Sequence, residues 1–203
     1  MQLDFCDGVF VSSQTWPFAS GGFEDADFFK ITSEEEGLPF WDQLDFEFDL
    51  MVEDAYKDFD VYMKLGPKRM IFHLDAQRDL EEFEHFLEGL DMYIRDNVEI
   101  GLAFKPSDDL ATVSRLSHKV DFLHCMGSDR IGVQGEKFSE KALENIKFLK
   151  KELPGVVISV DIGINLENAE TILDAGANRL TAGSSIWKSG DPLGTLQTFQ
   201  SLL

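Results

Sequence analysis

Strand-like runs alternate with amphipathic helical segments along the whole chain, and this alternation constrains the fold more than any other feature. Strands are predicted in the runs QLDFC, FEFDLMV, RMIFHLD, VEIGLAF, VDFLHCMG, VVISVD and RLTAGSS. Helices are predicted over 55–65, 80–97, 109–119, 139–153, 166–175 and in a last segment with Asp191 as N-cap and Pro192 in its first turn. Such alternation predicts a parallel sheet of β-α-β units whose strands are apolar on both faces.

Polar and small residues stand at or just after the ends of several predicted strands. They are Asp4, Asp49, His73, Asp75, Lys105, the run from Met126 to Asp129, Asp161, Gly183 and Ser184. In a (β/α)8 barrel the carboxyl ends of the strands and the loops after them build the active site. This placement therefore favours an α/β barrel over a flat doubly wound sheet, which the alternation alone does not distinguish.

The length of 203 residues predicts a single domain over residues 1–203. One segment departs from the alternation: residues 14–43 form a long loop region after the first strand, rich in acidic and aromatic residues. We interpret it as a solvated loop with aromatic anchors, and the alternative is a lid or a partner-binding loop.

The formal net charge of −20 argues against nucleic acid and anionic membranes as partners. Because the sequence also has no long apolar run and no signal-peptide pattern, we expect a cytoplasmic protein with no membrane association. Cys6 and Cys125 show no metal-binding spacing and are expected to be reduced, half-buried thiols. An anionic substrate would need a local cradle of backbone N–H groups to overcome the charge of the protein.

Short motifs along the chain resemble those of one enzyme family. The stretches QLDFCDGVFV, FDLMV, GLAFKP, SVDIGIN and AGSSIW resemble H-x-D-x-M-D-G-x-F-V, H-L-M-V, G-x-A-x-(N/K)-P, V-D-G-G-(I/V)-N and A-G-S-(A/S)-I-F of the ribulose-phosphate 3-epimerase family. They occur in the family's order, and the resemblance runs essentially from residue 1 to residue 203. It implies a TIM (β/α)8 barrel of the ribulose-phosphate-binding type, with about seven of the eight strands in this chain.

The resemblance implies an isomerase of the pentose phosphate pathway that interconverts D-ribulose 5-phosphate and D-xylulose 5-phosphate. Epimerisation at C3 needs one group to remove a proton and another to deliver one to the opposite face, through an enediolate. The family's two acid/base aspartates fall on Asp4 and Asp161. The implied partner is a small-molecule sugar phosphate. Members of the family commonly form oligomers, so the resemblance also allows a homo-oligomer.

The family also implies a divalent metal and no organic cofactor. Its ligands would be Asp4, Asp49 and Asp161, with Gln2 as a carbonyl donor, because the family's two metal-binding histidines fall on Gln2 and Asp49. Such an all-oxygen set suits Mg or Mn better than Zn, with Fe also a candidate. Either a hard cation binds here, or the metal is absent and Asp49 has another role.

The family's sulfur-lined pocket wall falls on Cys6, Met51 and Met126. His73 and His124 lie on other predicted strands, outside the positions of the family histidines. We expect each of them to be a core or hydrogen-bonded histidine.

The resemblance places the phosphate cradle on backbone N–H groups of three loops. These correspond to Gly132, Gly135, Gly163, Gly183 and Ser184. Glycine serves where the backbone must approach a phosphate closely, yet Ile162 replaces a family glycine. Arg130, in the first of these loops, either pairs with the phosphate or is a surface arginine.

The family has one more strand and helix before the first motif. Three explanations are open: a mis-called gene start, a partner chain that fills the gap, or a decayed barrel. We favour the first. The alternatives to the epimerase are a non-catalytic phosphosugar-binding barrel, an epimerase of another ketose phosphate, and a decarboxylase or aldolase on a related barrel.

Overall fold

The computed structural model describes residues Met1–Leu202, and its chain divides into two compact units, Met1–Leu102 and Ala103 onward. Both units are built from strands followed by helices, in the alternation predicted from the sequence. The single domain predicted over residues 1–203 stays a prediction, and Leu203 lies outside the described residues.

The first unit contains the start of the chain and most of its aromatic residues. Its elements are β1 (Gln2–Cys6), α1 (Ala26–Thr32), β2 (Glu47–Met51), α2 (Phe59–Met63), β3 (Arg69–His73), α3 (Leu80–Gly89), α4 (Met92–Asn97) and β4 (Glu99–Phe104), whose end belongs to the second unit. The strand order is β1-β2-β3-β4, and β2 pairs in parallel with both β1 and β3.

The second unit continues the same pattern. Its elements are α5 (Leu110–Leu116), β5 (Phe122–Met126), α6 (Glu140–Glu152), β6 (Val157–Asp161), α7 (Ala169–Asp174), β7 (Arg179–Leu180), α8 (Ser184–Trp187) and α9 (Pro192–Gln200). The strand order is β5-β6-β7, and β6 pairs in parallel with both neighbours. Within the described part of the chain, no helix has the length and apolar character needed to cross a membrane.

The strands β1, β2 and β3 each have two chemically different faces, because successive side chains of a strand point to opposite sides. One face, here called the first polar face, consists of Gln2, Asp4, Cys6, Glu47, Asp49, Met51, Arg69, Ile71 and His73. The other face is apolar and packs on helices. The ring centroids of Phe5 and Tyr62 of α2 are 5.6 Å apart, and those of Phe72 and Phe83 of α3 are 5.8 Å apart. All five residues of β2 are buried, but one of its faces carries the carboxylates of Glu47 and Asp49. The prediction of strands that are apolar on both faces is therefore wrong for β2.

In the second unit, β5 and β6 also present two opposite faces, one of which carries the polar residues. The second polar face consists of Phe122, His124 and Met126 of β5 and Val157, Ser159 and Asp161 of β6. The residues between them, such as Leu123 and Cys125, are fully buried on the opposite side. The Cys125 Sγ atom lies 4.0 Å from the carbonyl oxygen of Ala142, so this side faces α6.

The segment 14–43, predicted as a long loop, contains the helix α1 and two short 3-10 turns. Asp25 begins α1, because its side chain accepts hydrogen bonds from the backbone N–H groups of Asp27 and Phe28. The Trp16 Nε1–H also donates to Asp25 Oδ1 at 3.0 Å. Phe28 is buried and stacks on Phe23 at 5.1 Å, which fixes the helix to the unit.

Two other predicted elements differ from the structure at identifiable residues. The helix predicted over 80–97 is two helices, α3 and α4, because Asp91 accepts a hydrogen bond from Ile94 N at 2.9 Å and starts a new helix. The strand predicted at RLTAGSS keeps only its first two residues as β7. The last helix begins as predicted, since Asp191 accepts from Gly194 N and Pro192 takes the first helical position.

Candidate functional site

Asp4 lies in the middle of β1, on the first polar face, in register with Asp49 of β2. The Gln2 side-chain amide donates a hydrogen bond to Asp4 Oδ1 at 2.9 Å. Loss of hydration, and then the negative charge of Asp49, raise the pKa of Asp4 from 3.8 to about 6. Asp4 is open to solvent, which offsets part of this loss of hydration, but its carboxyl still ionises less readily than that of a free aspartate. A carboxyl group that titrates nearer to neutral pH is suited to proton transfer.

Asp49 forms a fully buried pair with His73 at the end of β3. The His73 Nε2 and Asp49 Oδ1 atoms are 2.7 Å apart, and both side chains are inaccessible to solvent. The Phe10 ring packs on the imidazole at 5.4 Å, and the Gln77 side-chain amide donates to the His73 carbonyl oxygen. The expectation of a hydrogen-bonded His73 is confirmed, and the pair fixes the orientation of the Asp49 carboxylate.

Cys6 and Met51 are direct neighbours across β1 and β2 and form an apolar end to the first polar face. They are buried, and burial raises the pKa of the Cys6 thiol, so this group stays protonated at neutral pH. Both cysteines of the chain are free and buried. Cys6 and Met51 are thus buried neighbours at one end of this face, and their role as a pocket wall stays a prediction.

Asp7 is a positioning residue that the sequence analysis did not identify. Its Oδ1 accepts hydrogen bonds from the backbone N–H groups of Val9 and Phe10, and its Oδ2 accepts from Glu53 N at 2.9 Å. One carboxylate thus ties the loop after β1 to the loop after β2. The signal in the sequence was the pair Asp7-Gly8, which is typical of a turn.

In the second unit, Asp161 is the last residue of β6 and leads into a tight loop. Its Oδ1 accepts a hydrogen bond from Ile162 N at 2.5 Å, and its carbonyl oxygen accepts from Gly127 N at 2.6 Å. Ile162 has φ +71° and Gly163 has φ +76°. A positive φ is natural for glycine and strained for a β-branched residue, so Ile162 stores conformational strain beside Asp161.

The loop after β6 is packed against the loop after β5. A Cβ atom on Gly163 would lie 2.3 Å from Phe138 N, and one on Gly127 would lie 2.1 Å from the Ile162 carbonyl oxygen. Glycine is therefore required at both positions. Gly132 and Gly135, both with positive φ, belong to the same β5–α6 loop, so the structure brings the loops that carry the first three predicted cradle residues into contact.

The other predicted phosphate-binding residues lie at the start of α8. Gly183 precedes this helix and Ser184 is its first residue, while the Gly183 carbonyl accepts from Ile186 N at 3.0 Å. Arg130 is largely exposed, and its Nη1 lies 3.0 Å from Glu136 Oε1. Arg130 is therefore paired within its own loop as a surface residue.

His124 and Met126, on the second polar face, are both buried. The expectation of a core histidine is confirmed for His124, which is completely inaccessible to solvent. Among the described residues, neither of its ring nitrogens has a hydrogen-bond partner. Met126, predicted as a pocket-wall residue, is the direct register partner of Asp161.

Comparison with solved structures identifies the class of fold. The structure of 3-hexulose-6-phosphate synthase from Salmonella typhimurium matches 100% of this chain and 97% of that chain, with a TM-score of 0.68 and 15% identity. At this identity the likeness shows the fold alone. The fold is the α/β TIM barrel predicted from the sequence, with seven strands in the described residues.

The family follows from sequence comparison. The model of the ribulose-phosphate 3 epimerase family matches residues 35–187, which is well over half of the chain. The chain belongs to this family, as the resemblance predicted. The match begins at residue 35, so β1 and its Asp4 lie before the matched range.

Individual relatives are distant. The ribulose-phosphate 3-epimerase of Schizosaccharomyces pombe is 26% identical over 147 residues, covering 72% of this chain and 61% of that protein. The cytoplasmic isoform of Oryza sativa is 26% identical over 146 residues, covering 70% of this chain and 61% of that protein. The matched region thus spans about three fifths of the length of these relatives.

Proposed function

We propose that the protein is an enzyme that epimerises a ketose phosphate at C3, with D-ribulose 5-phosphate and D-xylulose 5-phosphate as the pair. Membership of the ribulose-phosphate 3 epimerase family supports this proposal. The observation that carries it is the register pairing of Asp4 with Asp49, whose carboxylate is held by His73, on one polar face. Lost hydration and the charge of Asp49 raise the pKa of Asp4 to about 6, which supports a role in proton transfer. The site of action is proposed to be the cytoplasm.

Asp4 and Asp161 are the proposed acid/base pair. One carboxylate removes the proton from C3, and the electron pair of the broken C–H bond forms the enediolate with the adjacent carbonyl. The other group, as a carboxylic acid, then donates a proton to the opposite face of C3, and the carbonyl reforms. Either residue acts as base or acid, depending on the direction of the reaction.

The family implies a divalent cation, and the residues of the first polar face fit one. Asp4 and Asp49 are neighbouring carboxylates, and their mutual repulsion contributes to the raised pKa of Asp4. A cation would remove that repulsion. The proposed ligands are Asp4, Asp49, Asp161 and the Gln2 carbonyl. When bound, the cation would supply positive charge to stabilise the enediolate oxygens.

The phosphate group is proposed to bind to backbone N–H groups rather than to side chains. The residues are Gly132, Gly135, Gly163, Gly183 and Ser184. The backbone of Phe138 leaves no room for a side chain at Gly163. This part of the loop therefore offers main-chain groups rather than a side chain, which supports the proposal. Such a cradle suits a phosphate on a protein of net charge −20, because its attraction is local.

Deuterium exchange tests the proposal directly. The full chain is incubated with D-ribulose 5-phosphate in deuterated buffer, with and without Mn²⁺, and incorporation of deuterium at C3 is followed by NMR. Wild type is expected to exchange, and Asp4→Asn and Asp161→Asn are each expected to lose a factor of about 10² or more. Asp42→Asn, at an exposed residue outside the proposed site, is the matched control.

The same assay separates the alternatives. Tight binding of the sugar phosphate without exchange would refute the epimerase and support a non-catalytic phosphosugar-binding barrel. Exchange with a different ketose phosphate, and none with this pair, would change the substrate and keep the chemistry. Exchange that survives both Asp4→Asn and Asp161→Asn would show that the acid/base assignment is wrong.

A further inference from the structure

His124 is a buried polar side chain that the proposed proton transfer does not use. It lies on β5 with no exposed surface, and neither Nδ1 nor Nε2 has a hydrogen-bond partner among the described residues. Buried polar groups in proteins are nearly always satisfied by a protein group, a water molecule or an ion. The imidazole therefore has a site for a further partner.

The strand register shows where that partner would lie. His124 is paired with Ser159 of β6, and Asp161 is two residues further along the same strand. Residues two apart share a face, so all three side chains belong to the second polar face. One ring nitrogen of His124 lies within 4.8 Å of a carboxylate oxygen of Asp161.

This spacing is close to that of two ligands on one cation. Bonds from a metal to imidazole nitrogen and to carboxylate oxygen are about 2.0–2.2 Å long, so two ligand atoms on one ion are separated by at most about 4.3 Å. A separation of no more than 4.8 Å between the His124 nitrogen and the Asp161 oxygen is therefore compatible with both side chains on one cation. Met126 and Ser159, which lie beside these two side chains on the same face, are each only 1% exposed.

The geometry points to His124 as a ligand of a divalent cation that it shares with Asp161. Neither the motifs that relate the chain to its family nor the residues carried over from them include His124. The inference rests on the proposed function for the presence of a cation, and it adds a nitrogen ligand to the proposed oxygen set. An imidazole in the set shifts the preference from Mg²⁺ towards Mn²⁺, Fe²⁺ or Zn²⁺.

Electron spin echo spectroscopy of bound Mn²⁺ tests this assignment, because imidazole coordination gives a ¹⁴N coupling that oxygen ligands lack. The full chain, free of substrate, is loaded with Mn²⁺, and its affinity is measured by titration calorimetry. Wild type is expected to show the coupling. His124→Gln is expected to lose it and to bind Mn²⁺ at least about tenfold more weakly, while retaining its circular dichroism spectrum.

The chain contains four histidines, which supplies the controls. His118→Gln removes an exposed imidazole and is expected to keep both the coupling and the affinity. His124→Asn, with a smaller amide, replaces His124→Gln if the longer side chain prevents folding. Labelling wild type with ¹⁵N-histidine confirms that the coupled nitrogen belongs to an imidazole.

Two results would overturn the assignment: wild type without nitrogen coupling, or a coupling that persists in a folded His124 variant. The measurement on wild type needs no variant, so the assignment can be refuted even if the His124 variants do not fold. The outcome is also separable from that of the epimerase proposal. Nitrogen-coupled Mn²⁺ without deuterium exchange would support the His124 site and refute the epimerase. Deuterium exchange without nitrogen coupling would support the epimerase and refute the His124 site.

Discussion

The substitution Gly163→Ala is the most direct test of the packing between the loops after β5 and β6. An added Cβ atom would stand 2.3 Å from Phe138 N and 2.9 Å from Lys137 C and Phe138 Cα. These are main-chain atoms, which cannot rotate away as the end of a flexible side chain can. The φ of +76° is a second source of destabilisation, because alanine avoids this region.

The two effects set the magnitude. A non-glycine residue in the left-handed region costs about 1–2 kcal/mol, and an atom forced into a packed site costs about 1–3 kcal/mol. We therefore expect Gly163→Ala to lower the free energy of unfolding by about 2–5 kcal/mol, the sum of the two effects. For a chain of this length each kcal/mol lowers Tm by about 2–4 °C, which gives a loss of roughly 4–20 °C.

Urea unfolding followed by circular dichroism measures the effect, and Gly155→Ala is the matched control. A Cβ atom on Gly155 meets nothing within 4 Å, and its φ is not positive. Its substitution is expected to change the free energy of unfolding by no more than about 0.5–1 kcal/mol, in the stabilising direction. If Gly163→Ala unfolded within about 0.5 kcal/mol of wild type, the close approach of the Phe138 backbone would be refuted.

Three further substitutions test the strained Ile162, the buried Asp49–His73 pair and the carboxyl group of Asp4. Ile162→Gly is expected to raise the free energy of unfolding by up to about 1 kcal/mol in urea melts, because it relieves a φ of +71°; destabilisation would show that the Ile162 side chain contributes more by packing than it loses by strain. His73→Leu is expected to lower the free energy of unfolding by about 3 kcal/mol, since it leaves the buried Asp49 carboxylate without its 2.7 Å partner, and adding Asp49→Asn should restore part of the loss. The pKa of Asp4 is raised from 3.8 to about 6 on folding, so its stabilising contribution is complete below pH 3.8 and is lost as pH rises through about 6. In metal-free urea melts, Asp4→Asn should therefore gain stability relative to wild type between pH 4 and pH 7, and a constant difference would contradict the raised pKa.

The alternation of strands and helices was readable from the sequence, because apolar runs and N-capping aspartates have local causes. Six of the seven predicted strands lie within two residues of those observed in Met1–Leu202. The helix α1 was missed although Asp25 caps its start, since its position depends on the packing of Phe28 on Phe23. Its amphipathic signal is only one helix turn long, from Phe28 to Ile31.

Part of the candidate site could be predicted and part could not. Motifs led to Asp4, Asp49 and Asp161, and the structure adds the raised pKa of Asp4 and the His73 partner of Asp49. The environment of His124 could not be predicted, because an isolated histidine in an apolar strand gives no sign of whether its nitrogens are satisfied. The available signal was the period of two that places it with Met126, opposite Leu123 and Cys125.

The division of each strand into a polar and an apolar face has a consequence for how the chain finds its fold. If β1 slipped by one residue against β2, Asp4 would turn towards the layer that holds Phe48 and Tyr62, where a carboxylate would be severely destabilised. Phe5 would at the same time be placed opposite Asp49. The residues proposed for chemistry therefore also select the correct strand pairing. Replacing them with apolar residues would remove the penalty on misaligned pairings, so an inactive variant is expected to show more heterogeneous refolding even where its native state is no less stable.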